Sequence, residues 1–295
     1  MQLAYHVVDV FTQKPLEGNA LAVFPDSRQL DDATMQDIAR EMNLSETTFV
    51  LPSTRVDCVA NVRIFTPNYE MEFAGHPTIG TSHVLQEERL VPHGETAFTL
   101  EEKVGAVPVR IEAGDDPLIW LQTPAISTGE RFDRAACAAA LGLNANDLIP
   151  EIPCELWTAG NPNIFVAVRD RSIVDCAWLD ATRFRVLSPN VDAKNCVFVF
   201  APTQQGAYSR MFAPEHGIVE DPATGSAAGP LAAYMMKYGL VPRADGTRFV
   251  SEQGTKMRRR SFLHVLVHGE GGNKGIEVGG YVTAVTRATM TLDRG

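Results

Sequence analysis

Arg63-Ile64-Phe65-Thr66-Pro67 returns 147 residues further on as Arg210-Met211-Phe212-Ala213-Pro214. Downstream of the first copy stands Ala74-Gly75-His76-Pro77, and downstream of the second Thr224-Gly225-Ser226-Ala227, with the two glycines 150 positions apart. Gly18-Asn19, ahead of the apolar run Ala20–Phe24, is matched by Gly160-Asn161 ahead of Ile164–Val168, at a spacing of 142. One such pair carries little weight. Three in the same order, displaced by about half the chain, predict two like-folded halves. The seam is expected near Thr123-Pro124, where an apolar run gives way to a loop of Pro, Ser, Thr and Gly reaching Gly129. The expected division is therefore 1–123 and 124–295, with the last strand free to return to the first half.

Around these repeats the chain alternates short β-runs with few helices. Strands are expected at Val7–Phe11, Ala20–Phe24, Thr48–Leu51, Val59–Phe65, Val107–Ile111 and Ile119–Gln122, and later at Ile164–Val168, Cys196–Phe200, Ser209–Phe212, Phe262–Val267 and Tyr281–Val285. Met35, Ile38, Ala39 and Met42 follow helical spacing behind a capping Asp31 or Asp32. A second helix runs from about Asp133 to Leu141 and stops at Gly142. Pro77–Glu88 and Ala227–Lys237 carry small and apolar residues on nearly every side, which predicts two buried helices. The fold class is thus α+β.

The 295 residues are 45% hydrophobic and 21% charged, ample for a packed core. A net charge of −10 repels phosphate backbones, so no nucleic-acid partner is expected. The opening Met1–Val8 reads as a first strand, not a leader, and no apolar run reaches the ~18 residues of a membrane span. Five scattered cysteines without a Cys-x-x-Cys spacing fit a reducing cytoplasm.

Gly75-His76-Pro77 and Gly225-Ser226 each stand where a loop becomes a small-residue helix. The first N–H groups of such a helix lack intrahelical partners and carry the positive dipole end, which suits a carboxylate. The alternative is that both are tight turns opening core helices. Glu46, in Asn43–Val50, adjoins a strand, where partial desolvation would raise its pKa toward a value useful in proton transfer. An exposed loop glutamate, or one bonded to a backbone N–H, is the other reading. Asp221 in Val219–Ser226 is either a cap of the following helix or a polar site group. His76 is the only histidine beside these motifs and could pass a proton or bond a substrate. Gly225-Ser226-Ala227-Ala228-Gly229 lacks the glycine two residues before the serine required of a nucleophile elbow. Gly269–Gly275 reads as a hairpin loop, Lys256–Arg260 as a solvated basic run, and His264 with His268 lacks a third metal ligand. No metal site is expected.

At Pro15–Asn19, Met42–Leu51, Arg63–Pro67, Phe73–Pro77, Arg210–Pro214 and Gly217–Leu231 the sequence closely resembles the PhzF-like isomerases of phenazine biosynthesis. The resemblance implies the diaminopimelate epimerase-like fold: two pseudo-symmetric lobes, each a curled, mostly antiparallel sheet around a central helix, with the active site between them. It implies Glu46 as the acid/base, His76 and Asp221 as catalytic partners, and Gly75, Gly225 and Ser226 as substrate-binding groups. The cysteine pair of the epimerase relatives is replaced by Ala74 and Thr224, so two-thiol racemisation is excluded. What remains is a single carboxylate moving a proton between ring carbons. The implied reaction is isomerisation of trans-2,3-dihydro-3-hydroxyanthranilate, a small-molecule carboxylate, without a cofactor and in a homodimer. Alternatives are proton transfer on another small amino or cyclic acid, and a metabolite-binding protein without catalysis.

Overall fold

The computed structural model describes residues 1–91, 95–114 and 116–292. The chain forms two compact units, Met1–Gln122 with Gly279–Gly295, and Thr123–Val278.

In the first unit the strands are β1 (Gln2–Val10), β2 (Asn19–Phe24), β3 (Glu46–Leu51), β4 (Ala60–Phe65), the two-residue β5 (Glu70–Met71), β6 (Ala97–Glu102), β7 (Gly105–Ile111) and β8 (Ile119–Gln122). The C-terminal strand Val282–Thr291 pairs antiparallel with β1 and is therefore the first strand of this sheet. From it the order is β1, β2, β3, β4, β6, β7, β8. The pairs β2–β3 and β4–β6 are parallel and the others antiparallel. Helix α1 (Asp32–Met42) packs on β3 and β4, burying Met35, Ile38 and Ala39. The Asp31 carboxylate accepts from Thr34 N at 2.8 Å and caps it.

Helix α2 (Gly75–Glu87) touches β1, β2, β3, β4 and β8, so the sheet wraps around it. It is buried without a break from Gly75 to Ser82. Such burial demands that its hydroxyls be satisfied locally. Thr78 and Ser82 each donate to a carbonyl one turn back, at 2.9 and 2.7 Å. Close approach to the sheet demands small residues as well. A Cβ on Gly80 would stand 2.6 Å from Leu21 Cδ2 and 2.8 Å from Val10 Cγ2.

The second unit repeats the plan. Its strands are β9 (Ser127–Phe132), β10 (Cys154–Thr158), β11 (Pro162–Ala167), β12 (Cys196–Thr203), β13 (Gly206–Ala213), β14 (Ile218–Asp221), β15 (Arg248–Gln253) and β16 (Ser261–His268), and β17 (Gly275–Gly280) begins in it and ends in the first unit. The sheet runs β9, β10, β11, β12, β13, β15, β16, again with only the third and fifth pairings parallel. Helices α3 (Arg134–Ala140), α4 (Arg171–Cys176) and α5 (Ala181–Leu187) precede the central helix α6 (Gly225–Lys237), which contacts β10, β11 and β16. The repeated Arg-x-Phe motif has one job in both units. Arg63 holds Glu70 at 2.7 and 3.0 Å, and Arg210 holds Glu220 at 2.9 and 2.7 Å. Each guanidinium also lies over the ring two residues on, 5.1 Å from Phe65 and 5.0 Å from Phe212.

Two sequence expectations need correction. The loop read through Gly129 is strand from Ser127, because its backbone pairs with β10; the exposed, polar side chains hide this. Helices α4 and α5 were not expected, since each spans less than two turns; Asp170 and Asp180 cap them.

Replacing Gly80 by Ala should lower stability by about 1–3 kcal/mol, because the added methyl is forced into fully packed Leu21 and Val10. Urea unfolding checks this, and an unshifted midpoint would show that α2 is not packed so tightly.

Candidate active site

The parallel pairing of β2 and β3 places the first polar groups. Helix α1 ends at Asn43, which takes the left-handed conformation at φ 50, and β3 opens at Glu46 in register with Leu21. The Glu46 residue is 7% exposed, so it is not a solvated loop glutamate. His76, the second residue of α2, is 4% exposed. Its Nε2 lies 3.2 Å from Oε2 of Glu46, within proton-transfer reach but without the alignment of a hydrogen bond.

Asn19, at the start of β2, sets the tautomer. Its amide Nδ2 stands 3.3 Å from Nδ1 of His76. An amide nitrogen can only donate, so Nδ1 accepts and the imidazole proton sits on Nε2, facing Glu46. Burial drives the His76 pKa down to about 3, so the ring is neutral at physiological pH. A neutral imidazole therefore presents its Nε2–H to the buried Glu46 side chain.

Asp221, Gly225 and Ser226 come together in the second unit. Asp221 ends β14 and accepts from the Thr224 hydroxyl at 2.5 Å. It is thus not the cap of α6, whose N-cap residue is Thr224 and which has no side-chain cap. Gln253, at the end of β15, accepts from Thr224 N at 3.2 Å and donates to the Asp221 carbonyl at 2.7 Å and to Thr224 Oγ1 at 2.9 Å. Ser226 Oγ accepts from Asn161 Nδ2 at 3.1 Å. Helix α2 likewise has no side-chain cap at Ala74. Gly75 and Gly225 therefore open helices whose first N–H groups take no bond from a capping side chain.

Asn19, Asn161 and Gln253 were not singled out from sequence. The Gly18-Asn19 and Gly160-Asn161 match was the available signal: each asparagine bonds the residue after the helix-opening glycine in its own unit. Register also shows what faces Glu46's counterpart. Leu21 pairs with Glu46, and the matching Asn163 pairs with Cys196. Burial first, then the Asp221 charge, pushes the Cys196 thiol pKa far up, so no thiolate forms there. Only the first unit carries a carboxylate at this position. Elsewhere, His268 turns to Glu277 at 3.0 Å and Arg260 to Glu252 at 2.9 Å. Among the described residues no group of three or more His, Cys, Asp or Glu could hold a metal ion, and no helix is long and apolar enough to cross a membrane.

Two wrapped helices in two like-built sheets define the diaminopimelate epimerase-like class. A solved structure of a probable proline racemase from Agrobacterium radiobacter K84 shares it, with a TM-score of 0.69 at 15% identity, covering 99% of this chain and 93% of that one. The family follows from sequence: residues 8–288 match the phenazine biosynthesis-like protein family, PhzC-PhzF, and the chain belongs to it. A trans-2,3-dihydro-3-hydroxyanthranilate isomerase from Pseudomonas aeruginosa is 38% identical over 271 residues, 90% of this chain and 91% of the relative. A PhzF-family phenazine biosynthesis protein from Bacillus anthracis superposes with a TM-score of 0.88 at 25% identity, covering 99% of this chain and all 100% of that one.

The neutral state of His76 has a measurable sign. Between pH 6.5 and about 3 the unfolded chain binds a proton that the native imidazole refuses, so acidification through this window lowers stability. His76→Asn should therefore show a shallower fall of Tm over that range. An equally steep fall would mean that His76 is charged in the native protein.

Proposed function

We propose that this chain, an isomerase of the PhzF family, acts on trans-2,3-dihydro-3-hydroxyanthranilate by moving one proton around the ring. The reading is supported by the buried Glu46 carboxylate beside the Nε2–H of a neutral His76, 3.2 Å away, and by the relative's name. The Glu46 carboxylate takes the proton from the ring carbon that bears the hydroxyl. The C–H electrons move into the conjugated ring and Glu46 becomes a neutral acid. It then returns the proton to a second ring carbon, and the enol left behind relaxes to a ketone. Nothing is oxidised or reduced, so the step needs no cofactor.

His76 donates from Nε2 to a substrate oxygen or to Glu46, and holds the carboxylate in place between the two transfers. The N–H groups opened by Gly75 offer the substrate carboxylate a helix N-terminus, and the family resemblance implies substrate-holding roles for Asp221, Gly225 and Ser226. Fixing the ring within a proton's reach of one base supplies much of the acceleration, and acid–base transfer adds about 10²–10⁴-fold. The same reading includes a homodimer, as family resemblance implies, and a reducing cytoplasmic setting without nucleic acid. Net charge −10 and cysteines that all stand as free thiols support the latter.

Glu46→Gln should lower kcat by about 10³-fold or more while an anthranilate-like ligand still binds. Turnover in deuterium oxide, read by mass spectrometry of the product, tests the transfer itself. Undiminished turnover in the variant would remove Glu46 from the reaction. Ligand binding with neither turnover nor exchange in the wild type would leave a binding protein.

A further inference from the structure

Beneath the start of α2 lies a second buried carboxyl that the proton transfer does not use. Glu102, the last residue of β6, is 3% exposed. Its Oε1 stands 2.6 Å from Thr78 Oγ1, and Thr78 Oγ1 stands 2.9 Å from the Ala74 carbonyl. A hydroxyl has one proton and the carbonyl has none to give. If Thr78 serves Ala74, the proton in the 2.6 Å contact belongs to Glu102. A carboxylate at Glu102 would instead accept from Thr78, so only the neutral acid lets Thr78 serve Ala74, the residue before Gly75 and His76, while keeping both contacts of this relay.

The second unit holds the corresponding place with an amide. β4 and β6 bring Asn61 opposite Glu101, and β13 and β15 bring Tyr208 opposite Glu252; the next residues are Glu102 and Gln253. Gln253 anchors Thr224, the N-cap of α6, through both of its amide atoms. A glutamine is the neutral shape of a protonated glutamate. We propose that Glu102 is a positioning residue that works as a neutral acid, fixing the start of α2 and with it the His76 imidazole against Glu46. This rests on the reading of Glu46 and His76 as the reacting pair.

Among the described residues no neighbouring charge competes for this carboxyl. On the elements packed against it, His76 faces Glu46 and Asn19, His83 faces Glu87, Arg63 holds Glu70 and Asp32, and Arg110 lies toward Glu112. On its own strand Glu101 accepts from Ser53 and Thr54. Burial raises the Glu102 pKa from 4.5 to about 8, even though the Thr78 hydroxyl could turn to donate to the ionised form.

The test compares Glu102→Gln with the full-length wild type. A native carboxyl that stays protonated while the unfolded one ionises makes the wild type lose stability from pH 4.5 to about 8, and level off above. The Tm advantage of Glu102→Gln should therefore widen across that window, a readout independent of any substrate. On dihydrohydroxyanthranilate, the fall of wild-type kcat near pH 8 should vanish in the variant. Thr78→Val, which cuts the relay while leaving the glutamate in place, should lower kcat about five- to tenfold with KM little changed. A constant Tm difference would overturn the protonated acid. A widening difference with superimposable pH–kcat profiles, or Thr78→Val at wild-type kcat, would overturn positioning. A wild type without turnover but with the widening Tm difference would instead sink the proposed reaction and leave the acid standing.

Discussion

The buried carboxylate of Glu46 is what the first unit is arranged around. A carboxylate out of water costs several kcal/mol unless its surroundings respond to it, and among its surroundings here is the neutral N–H of His76, 3.2 Å away. An imidazolium would pair more strongly, but would also lock the carboxylate as an ion and weaken it as a base. Desolvation keeps His76 neutral, and Asn19 decides which nitrogen carries the proton. Three residues from three different elements thus bring a buried carboxyl group and a neutral N–H together without a positive charge.

Duplication explains how such a group can be placed at all. Both units have the same strand order and the same two parallel pairings, so equivalent residues meet by register. The scaffold is preserved where it bears on packing: Arg63–Glu70 and Arg210–Glu220 are the same interaction twice. It has diverged where chemistry is concerned. Glu46 is answered by Cys196, His76 by Ser226 and Glu102 by Gln253, while Asn19 and Asn161 remain asparagine and serve whichever partner stands after the glycine. At these places the first unit carries two carboxyl groups and an imidazole, and the second a thiol, a hydroxyl and an amide.

Much of this was legible in the residues. The repeated Arg-x-Phe motif and the two glycine-opened helices announced the duplication, and the even spread of small and apolar residues on Pro77–Glu88 and Ala227–Lys237 announced that both helices are buried. The aspartates before α4 and α5 were in plain sight too, but so short a helix shows little periodicity. Strand β9 was hidden because its stability resides in backbone pairing, while its side chains, exposed and polar, look like a loop. The setting of Glu46 left an ordinary loop glutamate equally open, and the family resemblance singled it out. Asn19 did not stand out, since an asparagine after glycine ahead of a strand is an ordinary turn until a register brings the helix start above it.

Glu102 was invisible for a different reason. It closes a strand beside Glu101 and before Lys103, in a run that reads as a charged hairpin end. Alternation along β6 is what separates the two acids: Glu101 faces outward to Ser53 and Thr54, and Glu102 faces inward to α2. A charge-coded residue is then forced to act as an uncharged one. The same inversion applies to His76, whose ring is basic in water and neutral here. In both cases the helix with no polar face determines the outcome, because a core that admits no water leaves each titratable group only its neutral form unless a partner is supplied. Glu46, 7% exposed and 3.2 Å from Nε2 of His76, stands at the edge of that core beside the one face of the imidazole that carries its proton.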